Sequence, residues 1–217
     1  FDNPDVRMAL KLAINREELV EKILLGHGVA GNDIPVNDVM PFFDSSIAQR
    51  TFDPEKAAEH YKKSGHSGPI KLSVADAAFA GAVDAGQLVA ASAKQAGIDI
   101  EVVREPNDGY WSNVWNKKGW CACYWGGRPT QDWMYSSAYT ADNKWNDTAW
   151  RDTEAAKRFN EVVVQARAET DDAKRAAQYS EAQKLINEDG GAIGAMWANF
   201  IHAHKNTLAH GENVAAN

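Results

Sequence analysis

Two cysteines in 217 residues, Cys121 and Cys123, are too few for a disulfide framework. One alanine separates them. On a strand both would point to one face, and so short a ring would strain a disulfide, so two free, mostly buried thiols are expected. No second Cys or His pair stands near them to complete a metal site, and none is expected. Basic residues are also in short supply, with 23 Lys and Arg against 30 Asp and Glu for a formal net charge of −7. No basic run exists to neutralise phosphates, which argues against nucleic acid as a partner. No stretch approaches the roughly 18 to 20 apolar residues of a membrane-spanning helix, and the first residues lack the charged and apolar regions of a signal peptide. A soluble chain that does not itself span a membrane is expected. Repeats and low-complexity tracts are missing too. What remains, 44% hydrophobic and 24% charged, is the composition of an ordinary globular protein, and the length favours one domain.

Tryptophan is abundant, and six of the eight lie between Trp111 and Trp145. The centre of that stretch runs Trp120, Cys121, Ala122, Cys123, Tyr124, Trp125, Gly126, Gly127, Arg128, Pro129, Thr130, Gln131, Asp132, Trp133. Aromatic planes, a diglycine that lets backbone approach a ligand, and a guanidinium near a carboxylate suit the wall of a small-molecule pocket. The candidate ligand-binding residues are therefore Trp120 to Arg128 with Asp132 and Trp133. Trp111 and Trp115, one helical turn apart, read as core. The Gly- and Pro-rich run from Trp125 to Trp133 reads as a surface loop whose aromatics meet a partner. Arg128 and Asp132 either hold ligand or pair with each other. No catalytic constellation is present: a cysteine nucleophile needs a base within hydrogen-bond reach, and no histidine lies within about fifty residues of either thiol. No enzyme activity and no cofactor are expected.

Along the chain, Asn3 and Pro4 open a helix carrying Val6, Leu10, Ala13 and Ile14, and Asn15 caps a second that runs to Gly26. Gly26 to Ser46 reads as a long loop. Asp53 and Pro54 restart helix, which a glycine at 65 stops. Ile70, Leu72 and Val74 then alternate as a strand, a helix is predicted from about Ala82 to Ala96, and Ile98, Ile100 and Val102 alternate again. This is a βαβ unit, so the two strands should be parallel. Asp108 is the predicted cap of a short helix through Trp111 and Trp115 to Gly119, and Trp120 to Trp125 a third strand. The Gly126 to Trp133 loop then leaves the carboxyl end of a strand, where open α/β sheets place ligands. Thr153 and Thr170 are the predicted caps of two long helices, the first carrying Phe159, Val162, Val163 and Ala166, the second Ala173, Ala177, Leu185 and Ile186. Ile193 to Ile201 reads as a last strand, trailed by His202, His204 and His210.

Several of these segments carry a resemblance. Asp2 to Leu10, followed by Ala13 to Arg16, resembles the opening of the second lobe in family 5 extracellular solute-binding proteins, the oligopeptide, dipeptide, nickel and opine receptors of bacterial ABC importers. Phe52 to Ala57 is similar to a helix start of that family, Gln95 to Ile100 to another of its segments, and Trp120 to Asp132 to its ligand-side strand and loop. The order of the four is the family's. The resemblance implies an α/β fold: a periplasmic binding protein type II-like lobe, three αβα layers around a central mixed, mostly parallel sheet. It also implies that residues 1–217 are the second lobe of a two-lobed protein, with a first lobe and a final return segment absent from this sequence. The implied function is to bind a peptide-like or other small polar solute between two lobes and deliver it to ABC permease subunits. The implied place is the periplasm, or a lipid anchor outside the cytoplasmic membrane. In peptide-binding members an aspartate on the ligand-side strand pairs with the peptide's amine. Here Cys123 stands at that position, or Trp125 if the alignment is fixed on Pro129, which leaves Asp132 and Arg128 as the loop's charged groups.

A different class of function also fits abundant tryptophan: a carbohydrate-binding module, in which sugar faces stack on the indoles. It calls for an all-β pattern, and the caps at Asn3, Asp53 and Thr153 point to helices instead. His202 and His204, spaced to share one side of a strand, make only two ligands for a metal and read as a solvated pair.

Overall fold

Helix caps fix much of the chain. In a computed structural model that describes residues 1–209, the Asn3 side chain accepts from the Asp5 N–H at 2.8 Å and opens α1 (Pro4–Leu12). Asn15 accepts from the Glu18 N–H and opens α2 (Arg16–Lys22), which ends before Gly26. Asp53 accepts from the Lys56 N–H at 3.0 Å to start α3 (Pro54–Ser64). Gly65 closes that helix at φ 69°, a left-handed conformation that side chains resist.

The βαβ unit forms as expected. Strand β2 (Ile70–Val74) pairs in parallel with β3 (Ile100–Arg104), Ile70 opposite Ile100 and Val74 opposite Arg104, with α4 (Ala82–Lys94) between them in sequence. Gly86 allows α4 its close approach to this sheet, because a Cβ there would meet Val74 Cγ1 at 2.9 Å and Val102 Cγ1 at 3.2 Å. α1, α2, α3 and α4 share one hydrophobic core with the two strands, built on Leu10, Leu19, Leu72, Val74 and Ile98.

A second core is almost wholly helical. It joins α6 (Gln131–Ala138), α7 (Glu154–Ala168) and α8 (Asp172–Glu188) around Tyr135, Trp150, Phe159, Val163 and Ile186, closed by Ile34, Val36 and Met40. Thr153 caps α7 as predicted. α8 is capped by Asp171, one residue beyond the predicted Thr170, and its first turns are exposed at Ala173 and Ala177. Its buried side is Tyr179, Ala182, Gln183, Ile186 and Asn187.

The strands depart further from expectation. The predicted loop after Gly26 holds β1 (Gly28–Ala30), which pairs antiparallel with β4 (Met196–Ala198), the short remnant of the predicted 193–201 strand. Three-residue strands are too short to show alternation. Among the described residues the sheet is thus two separate pairs rather than one continuous centre. The third strand predicted over Trp120 to Trp125 does not form: the segment meets β2 through a single parallel bridge between Ser73 and Cys121. The α/β lobe stands, with a smaller sheet than its length suggests. Eight helices and two two-stranded sheets, counted among the described residues, also remove the all-β pattern that a carbohydrate-binding module requires. No described helix is long and apolar enough to cross a membrane. His202 and His204 are exposed, no group of three or more potential metal ligands occurs among the described residues, and His210 and the 211–217 ending lie outside them.

Candidate functional site

The site begins with a buried tyrosine. The predicted helix after Asp108 is only α5 (Tyr110–Asn113), led by Gly109 at φ 73° with no side-chain cap. Its first residue, Tyr110, is buried, and the hydroxyl donates to the Ala122 carbonyl at 2.7 Å and the Ser73 carbonyl at 3.2 Å. Burial raises the Tyr110 pKa, so the hydroxyl keeps its proton to give. Together with the Ala122 N–H, which donates to the Ser73 carbonyl at 2.9 Å, this bond holds Ala122 beside β2.

From Tyr110 a run of rings passes edge to face along the surface. Trp111 meets Tyr110 at 5.7 Å between centroids, Trp115 at 5.9 Å and Tyr124 at 5.6 Å, and Trp115 meets Trp125 at 6.0 Å. Such contacts fix ring planes beyond what burial alone does. The Arg128 guanidinium then lies 5.8 Å from the Trp125 ring and 5.7 Å from that of Trp133, between two indoles in cation–π geometry. Trp111, Tyr124 and Trp133 stay 39%, 62% and 54% exposed. The core reading of Trp111 is therefore corrected: α5 ends at Asn113, so no long helix exists to bury that face, while Trp115 is half-buried.

Asp147 organises this wall from the far side. Its backbone N–H donates to the Ala138 carbonyl at 2.8 Å, holding it at the end of α6. Its Oδ1 accepts from Trp115 Nε1 at 2.5 Å, and its Oδ2 from Trp125 Nε1 at 3.0 Å and the Cys123 thiol at 3.3 Å. Two indoles and a thiol from three positions in sequence are thereby set in one orientation. Sequence reading missed Asp147 because its partners lie 22 to 32 residues away with no motif spacing. The one signal available was general: a tryptophan N–H that leaves water needs an acceptor.

The environment of the thiols disfavours the thiolate. Burial, with the Asp147 charge beside it, pushes the Cys121 thiol up to about 11 and Cys123 well above its ordinary value. Both stay protonated at neutral pH, and both are free and half-buried.

Of the predicted ligand residues, the structure brings Tyr124, Trp125, Gly126, Gly127, Arg128 and Trp133 together on the wall. Cys121, Ala122 and Cys123 lie behind it. Trp120 belongs elsewhere: it meets Phe1 edge-on at 6.0 Å and lines a separate groove of about 760 Å³ with Lys71, Ser73, Glu101 and Val103. Asp132 does not pair with Arg128. It accepts from Arg167 Nε at 2.9 Å, because the first turn of α6 points its side chain toward α7. Arg128 instead donates from Nη1 to the Gly126 and Gly127 carbonyls at 2.8 and 3.4 Å. Beyond its two chain neighbours, no described atom comes within 4 Å of where a Gly127 side chain would begin, so the backbone there is open to approach.

Replacing Asp147 by asparagine should cost about 1 to 3 kcal/mol, since the amide nitrogen would face an N–H or S–H donor with no acceptor left for it. Urea unfolding followed by tryptophan emission measures this, with the native emission moving to the red as Trp115 and Trp125 loosen. An unchanged midpoint and spectrum would show that Asp147 does not hold the wall.

Comparison with known proteins agrees with this architecture. A family profile described as bacterial extracellular solute-binding proteins, family 5 Middle, matches residues 1–147. The glutathione-binding protein GsiB of Escherichia coli (strain K12) is 26% identical over 227 residues, which cover 96% of this chain and 42% of that protein. The GsiB of Shigella flexneri serotype 5b is 25% identical over 224 residues with the same coverage. Among solved structures, the periplasmic binding protein DppA of Helicobacter pylori, in complex with the peptide STSA, superposes with a TM-score of 0.77 at 19% identity, over 91% of this chain and 39% of that one. The chain thus spans less than half the length of these relatives.

Proposed function

We propose, because this chain belongs to the bacterial extracellular solute-binding proteins of family 5, that it is the ligand-recognising lobe of the substrate-binding component of a bacterial ABC importer. The solute is peptide-like or another small polar molecule. It is held in the cleft between this lobe and a second one and passed to the permease subunits. The protein works in the periplasm, or lipid-anchored on the outer side of the cytoplasmic membrane, and performs no chemistry on its cargo. The absence of enzyme activity fits two thiols that stay protonated.

The observation that supports this placing of the site is the aromatic wall, with Trp111, Tyr124 and Trp133 exposed and Trp125 half-buried, and Arg128 lying between the Trp125 and Trp133 indoles. Large rings held rigid by their neighbours lose little entropy when a ligand covers them, and a cleft that closes over them removes apolar surface from water. Glutathione, for which the GsiB relatives are named, and short peptides such as the one bound to DppA, are the first solutes to try.

The test uses the complete protein that carries this chain. Calorimetry with glutathione and with tri- and tetrapeptides, supported by native mass spectrometry for any co-purified solute, identifies a ligand. Tyr124→Ala and Trp133→Ala should then each weaken its binding by about 1 to 3 kcal/mol while the melting temperature holds, since both rings are exposed. Full affinity retained in both variants would place the site elsewhere.

A further inference from the structure

We infer that the solute presents an anion, a carboxylate or a group of similar charge, to Arg128, and that this wall does not recognise an ammonium. The inference rests on the reading of the wall as a solute site. It comes from how the charges are committed. The Asp147 carboxylate has donors on both oxygens, the Trp115 indole on one and the Trp125 indole and Cys123 thiol on the other. An ammonium would have to share it with three donors that already hold the wall in shape. Asp132 is taken by Arg167 at 2.9 Å. Both carboxylates already have donors, and Asp132 already has a cationic partner.

Arg128 is in the opposite position. Its Nη1 donates only to loop carbonyls, its shielded Nε has no partner, and it forms no ion pair with any described residue. The flanking indoles, at 5.8 and 5.7 Å, shield the half-buried guanidinium in part without supplying a negative charge. A partly shielded cation without a counter-charge gains more from an incoming anion than one in bulk water, and the planar fork matches a carboxylate. The open backbone at Gly127 leaves room for the approach. Cation–π contact alone would hold Arg128 as a loop brace, but it leaves this electrostatic demand unmet.

Three probes that differ only in charge separate these roles: 3-phenylpropionate, 3-phenylpropionamide and 3-phenylpropylamine. Each carries a ring for the wall. Binding to the complete protein is followed by ligand-observed NMR at up to about 10 mM, beyond the millimolar range where weak contacts register. The carboxylate should bind at least ~10-fold more tightly than the amide, the amine no more tightly than the amide, and Arg128→Gln should erase the preference. Equal binding of acid and amide, or a preference that survives in Arg128→Gln, overturns the inference and leaves the solute site standing. If none of the three binds, the wall is not a solute site and the inference falls with it. The melting temperature of Arg128→Gln is recorded in parallel, and a preference lost only because that variant unfolds is excluded by Arg128→Lys. This variant keeps the charge and should retain part of the preference.

Discussion

Asp33→Asn should destabilise the protein by about 3 to 5 kcal/mol, because it leaves two buried guanidiniums without a counter-charge. Asp33 is completely buried, and its carboxylate accepts from Arg16 Nη2 at 2.7 and 2.9 Å and from Arg50 Nε at 2.8 Å. The Arg16 side chain is 1% exposed and that of Arg50 13%. The two arginines reach further: Arg16 donates to the Lys11 carbonyl at the end of α1, and Arg50 to the Asn187 carbonyl and side chain near the end of α8. One carboxylate therefore ties the first core to the second. Asparagine is the informative replacement. Asp33 sits at φ 55°, a conformation asparagine also tolerates, so the charge is removed with little change to the backbone. Urea unfolding of wild type and variant measures the loss. A difference below about 1 kcal/mol would mean that water or a rearranged partner compensates the arginines and that the triad does not hold the cores together.

No part of that triad was legible in the sequence, and the reason separates what could be read from what could not. The caps at Asn3, Asn15, Asp53 and Thr153 were readable because cap and capped N–H lie within three residues. The βαβ unit was readable because Ile70, Leu72 and Val74 and then Ile98, Ile100 and Val102 carry their period locally. Even so, one slip arose within that range: Thr170 and Asp171 are both good caps, and only tertiary packing chooses between them. The pairing of β1 with β4 joins opposite ends of the chain through three residues each, too few for any pattern. At the site, the density of tryptophan marked the stretch that forms the aromatic wall, but the run expected as a loop to Trp133 ends earlier: Gln131 opens α6, so Trp133 stands exposed on a helix, and the other exposed rings, Trp111 and Tyr124, lie before Gly126. What could not be read is which way each side chain turns. Trp120 turned to Phe1, Asp132 to Arg167, and Asp147 to three donors far away in sequence. Residues that act through distant partners leave no spacing behind, and Asp147 is of that kind.

Lys11 should make stability rise with pH in a range where lysines are ordinarily silent. It lies on α1, fully buried, with Nζ donating to the Asn187 carbonyl at 2.8 Å and the Ile186 carbonyl at 3.4 Å at the end of α8. Burial lowers its pKa from 10.5 to about 8, with Asp33 and Asp189 opposing the shift and Arg50 and Arg7 adding to it. Below pH 8 both the folded and the unfolded chain carry this proton, and the cost of burying the charge is constant. Between pH 8 and 10.5 the folded chain has given up the proton while the unfolded chain still holds it, so folding gains as pH rises. The gain reaches about 3 kcal/mol at most by the top of that window. Other groups work against it. The Cys121 and Cys123 thiols and the Tyr110, Tyr135, Tyr139 and Tyr179 hydroxyls hold their protons more tightly in the fold than their ordinary values allow, so they lower stability as pH rises past about 9. Lys11→Met isolates the lysine, since methionine occupies a similar stem and carries no charge. The stability of wild type minus that of the variant should stay flat from pH 6 to about 7.5 and then climb by up to about 3 kcal/mol toward pH 10.5, because the opposing groups cancel in the difference. A difference that stays flat throughout would show that Lys11 keeps its proton in the fold and that the α8 carbonyls are enough to hold the charge.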